Sequence, residues 1–133
     1  MPVIEIKLGS DEISTWKFWR AILAEFLGTL LFLVCVTSVA IGWGTNGTSA
    51  NNVEVGIGIG LAIATLAQAF GHVSGGHLNP AVTFGMVFGG RTPIIRGLFY
   101  IVAQLVGGKE PFFLHFCSCY KFATIHAHFY IYH

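Results

Sequence analysis

Two long stretches of this sequence contain almost no charged side chains, and this limits what the chain can fold into more than any other feature. Residues 21–43 carry one charged side chain, Glu25, and residues 53–70 carry one, Glu54. A helix over residues 21–43 would rise ~35 Å, enough to cross the ~30 Å hydrocarbon core of a bilayer. The sequence therefore predicts membrane-crossing helices at about 21–43 and 53–70.

Composition agrees with a lipid bilayer as the surroundings of the chain. Of the 133 residues, 54% are hydrophobic and 10% are charged, whereas soluble domains carry about 25% charged residues. Seven Lys plus Arg against six Asp plus Glu leave no basic excess for nucleic acid. A secretory signal ending near Ala40 is the alternative for the first run, but the run is too long and contains Glu25.

A shorter apolar segment follows a loop that is rich in glycine. The segment from His72 to Leu78 is too polar and too rich in Gly for a helix, so we expect a loop there, with extended backbone at residues 75–78. Asn is a favoured N-cap and Pro is favoured at the first helical position, so a helix should begin at Pro80. Residues 80–89 would span roughly 15 Å, about half a bilayer. A further apolar helix is predicted at 93–108.

Basic residues predict the orientation of these helices. If the half-length helix re-enters, one side of the membrane receives Lys7, Lys17, Arg20, Arg91 and Arg96. Basic residues favour the cytoplasmic side, so residues 1–19 are expected to be cytoplasmic. The loop between the first two helices has no Lys or Arg and contains Asn46-Gly47-Thr48, a glycosylation sequon suited to the external face.

Non-helical backbone within a membrane must be buried in protein or line a water-filled cavity. Extended residues 75–78 would offer carbonyl oxygens to water, and Asn79 could cap the short helix while its amide hydrogens remain free to donate. The positive end of the helix dipole would point to the same place and repel cations. The alternative is a loop and a capped surface helix in a soluble domain.

Four stretches of the sequence resemble the aquaporin (major intrinsic protein) family. They are Ser74-Gly75-Gly76-His77-Leu78-Asn79-Pro80-Ala81-Val82-Thr83, Ala24-Glu25-Phe26-Leu27-Gly28-Thr29, Ala64-Thr65-Leu66-Ala67-Gln68 and Tyr100-Ile101-Val102-Ala103-Gln104. The resemblance covers about residues 19–108. It implies an all-α membrane protein with three transmembrane helices and one re-entrant half-helix, the first of two inverted repeats.

The resemblance also implies a function. Family members are multi-pass channels for passive transport of water, not enzymes, so we expect a plasma-membrane protein that assembles as a homo-tetramer. Small neutral solutes stay open as permeants, because Ile59 stands where strict water channels of the family usually carry Phe in the selectivity filter. No cofactor is implied.

Site residues are assigned by the same resemblance. The expected pore-lining residues are Gly75, Gly76, His77, Leu78, Asn79, Pro80, Ala81 and Ile59. Glu25 would accept hydrogen bonds from the signature loop, with Gln104 in a similar supporting role; the alternative is that Glu25 reaches water at the helix end. Gly56, Gly60 and Ala64 repeat every fourth residue, a spacing that permits close approach of another helix.

Residues 109–133 depart from the family pattern and are expected to be a tail outside the fold, which gives segments 1–19, 20–108 and 109–133. Its residue types have AT-rich codons, as translated intron or frameshifted sequence would, so we expect a truncated product that does not conduct alone. A non-conducting partner of complete family members is the alternative function. A metal-binding tail is disfavoured because its Cys-x-Cys and His-x-His pairs lack the spacing of zinc fingers. A zinc site in the loop is disfavoured as well, because His72 and His77 have no third ligand.

Overall fold

The computed structural model describes residues 7–40 and 51–109, and every regular element in these two ranges is helical. A 3-10 turn, Ser10–Ser14, precedes α1, Trp16–Ala40; α2 is Asn52–Ser74, α3 is Pro80–Phe88, and α4 comprises residues 94–109. The sequon at Asn46 and residues 110–133 lie outside the described residues. The predicted all-helical class is therefore confirmed for the described part of the chain.

The second helix is longer than the predicted 53–70. It begins behind Asn51, whose side chain accepts from the Val53 N–H while the Glu54 side chain accepts from the Asn51 N–H. It ends at Gly75, which has φ of 98° and donates its N–H to the Gly71 carbonyl. The prediction of a non-helical His72–Ser74 was wrong, because the backbone bonds of α2 continue until a glycine can adopt the left-handed cap.

The first helix also begins earlier than predicted, at Trp16 instead of residue 21. Thr15 precedes it with extended backbone, and its hydroxyl accepts from the Phe18 N–H at 3.3 Å. The predicted start of the helix excluded the charged residues Lys17 and Arg20. Both side chains are exposed, however, and Lys and Arg are good helix formers. The helix therefore extends beyond its apolar part by about one turn.

Gly58 lies where α2 packs on α1. A Cβ at this position would lie 2.8 Å from both γ-carbons of Val39, so only a glycine permits this approach of the two helices. The predicted small residues Gly56, Gly60 and Ala64 lie on an exposed face of α2 instead. Among the described residues, no atom lies within 4 Å of a Cβ placed at Gly56 or Gly60, so their pairing with another helix stays a prediction.

The segment before α1 is bonded to the start of α4. The carbonyls of Lys7 and Leu8 accept from the N–H groups of Ile94 and Ile95, at 3.0 and 3.1 Å. The Glu12 carboxylate accepts from Arg96 Nε at 2.8 Å. These contacts bring the start of the described chain and the α3–α4 connection to one end of the molecule. The basic residues Lys7, Lys17, Arg20, Arg91 and Arg96 therefore gather at that end.

Two helices, α1 and α2, are long and apolar enough to cross a membrane by length and composition. Only 22% of the most apolar window of α1 and 6% of that of α2 are buried within the structure. A core helix of a soluble protein would be mostly buried, and large exposed apolar surfaces require a lipid or protein covering. Ile57, Leu61, Leu98 and Val102 are all more than half exposed.

Replacing Gly58 with Leu should destabilise the α1–α2 pair, because the new side chain would overlap Val39. Overpacking of this kind typically costs about 1–3 kcal/mol. Thermal unfolding in detergent measures the effect, and Gly60→Leu, in the same helix with open space around it, is the matched control. Equal melting temperatures for the two variants would show that α2 does not pack on α1 through Gly58.

Candidate functional site

The carboxylate of Glu25 lies at the centre of the described residues, where it is fully buried. Its Oε1 accepts from Ser74 Oγ at 2.6 Å and from the His77 N–H at 2.9 Å. Its Oε2 accepts from the Leu78 N–H and from Gln104 Nε2, both at 2.7 Å. A carboxylate offers about four acceptor positions, so these four donors satisfy it. One side chain of α1 thereby bonds to α2, to the loop and to α4.

The loop between α2 and α3 turns sharply and does not run extended as predicted. Gly75 and Gly76 have φ of 98° and 64°, and Leu78 has φ of 51°. Glycine enters this left-handed region freely, but a residue with a Cβ such as Leu78 does so at some cost. Two contacts hold Leu78 there: its N–H donates to Glu25, and its side chain is buried against Gly28, where a Cβ would collide with it.

Gln104 and Thr83 extend this network from α4 to α3. Gln104 Nε2 donates to Glu25 Oε2 and, at 2.9 Å, to Thr83 Oγ1. Because a carboxylate only accepts, the amide nitrogen of Gln104 must be the atom that faces Glu25. The Thr83 hydroxyl also lies 3.1 Å from His77 Nδ1 and from the Asn79 carbonyl. Gln104 and Thr83 are both buried, so α3 is joined to α4 through polar groups.

Three further residues hold the loop, and the sequence prediction gave none of them a role. The Ser74 hydroxyl donates to Glu25 and accepts from the Gly76 N–H at 3.1 Å. The Tyr100 hydroxyl donates to the Ser74 carbonyl at 2.7 Å, and its ring meets the His77 ring edge to face. Thr83 is the third. The signal in the sequence was the spacing: Tyr100 and Gln104 lie four apart on one helical face.

Asn79 stands at the start of α3 with extended backbone. Its Oδ1 accepts from the Ala81 N–H at 2.8 Å, and its carbonyl accepts from the Thr83 N–H at 3.0 Å. Pro80 occupies the first helical position. The side chain of Asn79 is exposed, and its Nδ2 has no hydrogen-bond partner among the described residues. Its two amide hydrogens are therefore available to an acceptor outside the described part of the chain.

An open cavity of about 410 Å³ lies beside this asparagine. Asn79, Pro80 and Leu78 line it from the loop, Thr29 from α1, and Gln104 from α4. The Thr29 hydroxyl is buried and has no partner among residues 7–40 and 51–109. The cavity therefore combines apolar walls with a few polar groups, as sites for small molecules do. Ile59 is half-buried on α2 and is not part of this wall.

The structure thus brings together part of the predicted site. Glu25, Gln104, His77 and Leu78 share one network, and Asn79 and Pro80 line the cavity. His77 and Leu78 are buried, with 6% and 2% of their surface exposed, whereas Gly75 is exposed. In residues 7–40 and 51–109, no group of three His, Cys, Asp or Glu side chains is placed to hold a metal ion.

Comparison with known proteins gives consistent similarities. The model of the family "Major intrinsic protein" matches residues 12–121, which extends past Gly108 into residues that the structure does not describe. Human "Aquaporin-1" is 50% identical over 103 residues, which is 74% of this chain and 38% of the relative. The "Lens fiber major intrinsic protein" of Lithobates pipiens is 41% identical over 96 residues, 72% of this chain and 36% of the relative. Mouse "Aquaporin-4" is 45% identical over 95 residues, 70% of this chain and 29% of the relative. The match therefore spans less than two fifths of the length of these relatives.

Replacing Glu25 with Gln should lower the thermal stability of the chain. Each carboxylate oxygen of Glu25 accepts from one main-chain N–H of the loop. A main-chain N–H can only donate, so it cannot pair with another donor. Whichever way a glutamine amide turns, its NH2 group would face the N–H of His77 or of Leu78. A buried donor left without an acceptor costs about 1–3 kcal/mol.

Thermal unfolding in detergent measures this loss, and Glu54→Gln is the control. Glu54 accepts from the Asn51 N–H at an exposed helix start, where Gln caps as well as Glu does. We expect a lower melting temperature for Glu25→Gln and an unchanged one for Glu54→Gln. The same melting temperature for both variants would contradict the supporting role of Glu25.

Proposed function

The chain belongs to the major intrinsic protein family, that of the aquaporins, and on this premise we propose that residues 20–108 form one wall of a membrane channel for water. Members of this family are integral membrane channels and not enzymes. The observation that carries the proposal is the exposed amide of Asn79, which faces an open cavity while its oxygen caps α3.

The proposed arrangement has α1, α2 and α4 crossing the bilayer and α3 re-entering as a half-helix, the first of two inverted repeats. The nine residues of α3 are too few to cross a bilayer. The exposed apolar side chains of α1, α2 and α4 support contact with lipid. Basic residues at one end of the molecule support a cytoplasmic N-terminus. The proposed location is the plasma membrane, with Asn46 as an external glycosylation site.

Donation of hydrogen bonds to water is the proposed role of Asn79. Capping occupies the Oδ1 atom, which fixes the side chain with its two amide hydrogens free. The helix dipole places about half a positive charge at the start of α3, and this charge disfavours a cation at the same place. A water molecule, by contrast, accepts the hydrogen bonds readily. Glu25 and Gln104 act indirectly, because they hold the loop that positions Asn79.

Water is the proposed permeant, with small neutral solutes as further candidates. No charged group of the described chain lines the cavity except Lys109 at its rim, so ionic solutes find no buried counter-charge there. Beyond the cavity wall, the pore lining proposed from the family resemblance also includes Gly75, Gly76, His77, Ala81 and Ile59, together with Leu78 and Pro80 of the wall. An isoleucine at position 59 is smaller than a phenylalanine, which supports a filter wide enough for small neutral solutes.

The described residues supply a wall on one side of the cavity only. Asn79 is exposed and the cavity is open, so a closed pore requires further protein opposite Asn79. We propose that an inverted second repeat supplies it in a homo-tetramer of channels. Vesicles that contain only the 133-residue chain should then swell no faster than empty ones. Pairing with complete relatives, as a non-conducting partner, remains the second proposal, supported by the open cavity and the exposed Gly60 face of α2.

The variant Asn79→Asp tests the channel proposal when residues 1–108 are joined to the second half of human aquaporin-1. Aspartate still caps the helix, but it cannot donate and it places a negative charge beside the cavity. We expect osmotic swelling of the vesicles to slow by at least severalfold and their cation leak to rise.

The control is Asn51→Asp, the same exchange at the cap of α2, which is exposed at a helix start away from the cavity. It should leave swelling unchanged. Unaltered water flux and no cation leak in Asn79→Asp would contradict the proposed donor role of Asn79.

A further inference from the structure

The first turns of α1 carry two cations beside an exposed indole ring. Trp16 is 76% exposed, and Lys17 and Arg20 are exposed as well. Residues three or four apart share a helix face, so Arg20 lies next to both Trp16 and Lys17, with Cβ atoms about 5–6 Å apart. These three residues form one surface, which we name the cationic patch.

The two cations of the cationic patch have no ion-pair partner in the described chain. No ion pair joins Lys17 or Arg20 to a carboxylate of residues 7–40 or 51–109. The carboxylate of Glu12, in the turn before α1, forms its ion pair with Arg96, at 2.8 Å. The patch therefore presents two positive charges that a ligand outside the chain can bind.

A stripe of exposed leucines continues from the cationic patch along α1. Leu23, Leu27 and Leu31 are 55%, 38% and 42% exposed, and their spacing of four continues the face that carries Arg20. Cations and an indole ring at the end of an apolar stripe match the order of a phospholipid, with its headgroup at the membrane surface and its acyl chains below.

We infer that the cationic patch and the leucine stripe bind an anionic phospholipid of the leaflet on the N-terminal side. This inference rests on the proposed membrane placement of α1, though not on water transport. Lys17 and Arg20 bind the negative headgroup from two adjacent helical turns, Trp16 lies at the interface, and Leu23 to Leu31 contact an acyl chain. An acidic soluble protein would use the cations but would have no access to the leucines within the bilayer.

Tryptophan quenching by lipids with brominated acyl chains tests this site. In the full chain carrying Trp43→Phe, Trp16 and Trp19 are the remaining tryptophans. The purified protein is placed in phosphatidylcholine bilayers that contain the same small fraction of brominated phosphatidylserine or brominated phosphatidylcholine. We expect a binding preference for phosphatidylserine on the order of twentyfold, since each of the two cations near an anionic surface contributes about a factor of five.

The double variant Lys17→Gln with Arg20→Gln should lower this preference to near one, whereas Lys109→Gln, which removes a cation from the far end of α4, should leave it intact. Equal quenching by the two lipids in the parent protein would overturn the inference. So would a preference that survives in the double variant, or one that Lys109→Gln reduces as much. Because no water flux is measured, a chain that fails to conduct but keeps its lipid preference would contradict only the proposed function.

Discussion

The structure depends on one buried carboxylate, that of Glu25, and on the four donors that satisfy it. An isolated carboxylate in an apolar interior is very unfavourable, so its donors must stay in place whenever the chain is folded. Those donors come from the end of α2, from two residues of the loop and from α4. The need to satisfy a single side chain therefore fixes three other segments relative to α1.

The hydrogen bonds of Glu25 also determine the position of Asn79. The bonds from His77 and Leu78 hold the loop in a left-handed turn, and this turn directs the chain into the extended backbone of Asn79. Thr83, bonded to Gln104, attaches the first turn of α3 to α4. Rigid support by packed and hydrogen-bonded neighbours is the general means by which a protein holds one donor in a productive position.

Much of this could be predicted from the sequence because the signals were local. A single Glu within an apolar run must find partners, and an Asn-Pro pair must begin a helix. The left-handed loop could not be predicted, since glycines permit extended and left-handed backbone alike and the choice depends on Glu25. Spacing alone favoured Gly60, because it belongs to a run of three small residues, whereas Leu66 ends the run that contains Gly58. Only the position of Val39 shows that Gly58 is the residue packed against α1. The roles of Ser74 and Tyr100 were not predicted, because their hydrogen-bond partners are distant in the chain.

Hydrogen–deuterium exchange of the main-chain amides of His77 and Leu78 tests the central claim most directly. Both amides lie outside any helix, yet each donates to a fully buried carboxylate. In the intact chain in lipid or detergent, they should exchange as slowly as the amides in the middle of α1, because exposing them requires the network to open. Exchange at the rate of an exposed loop would show that Glu25 does not hold the loop, and would contradict the account.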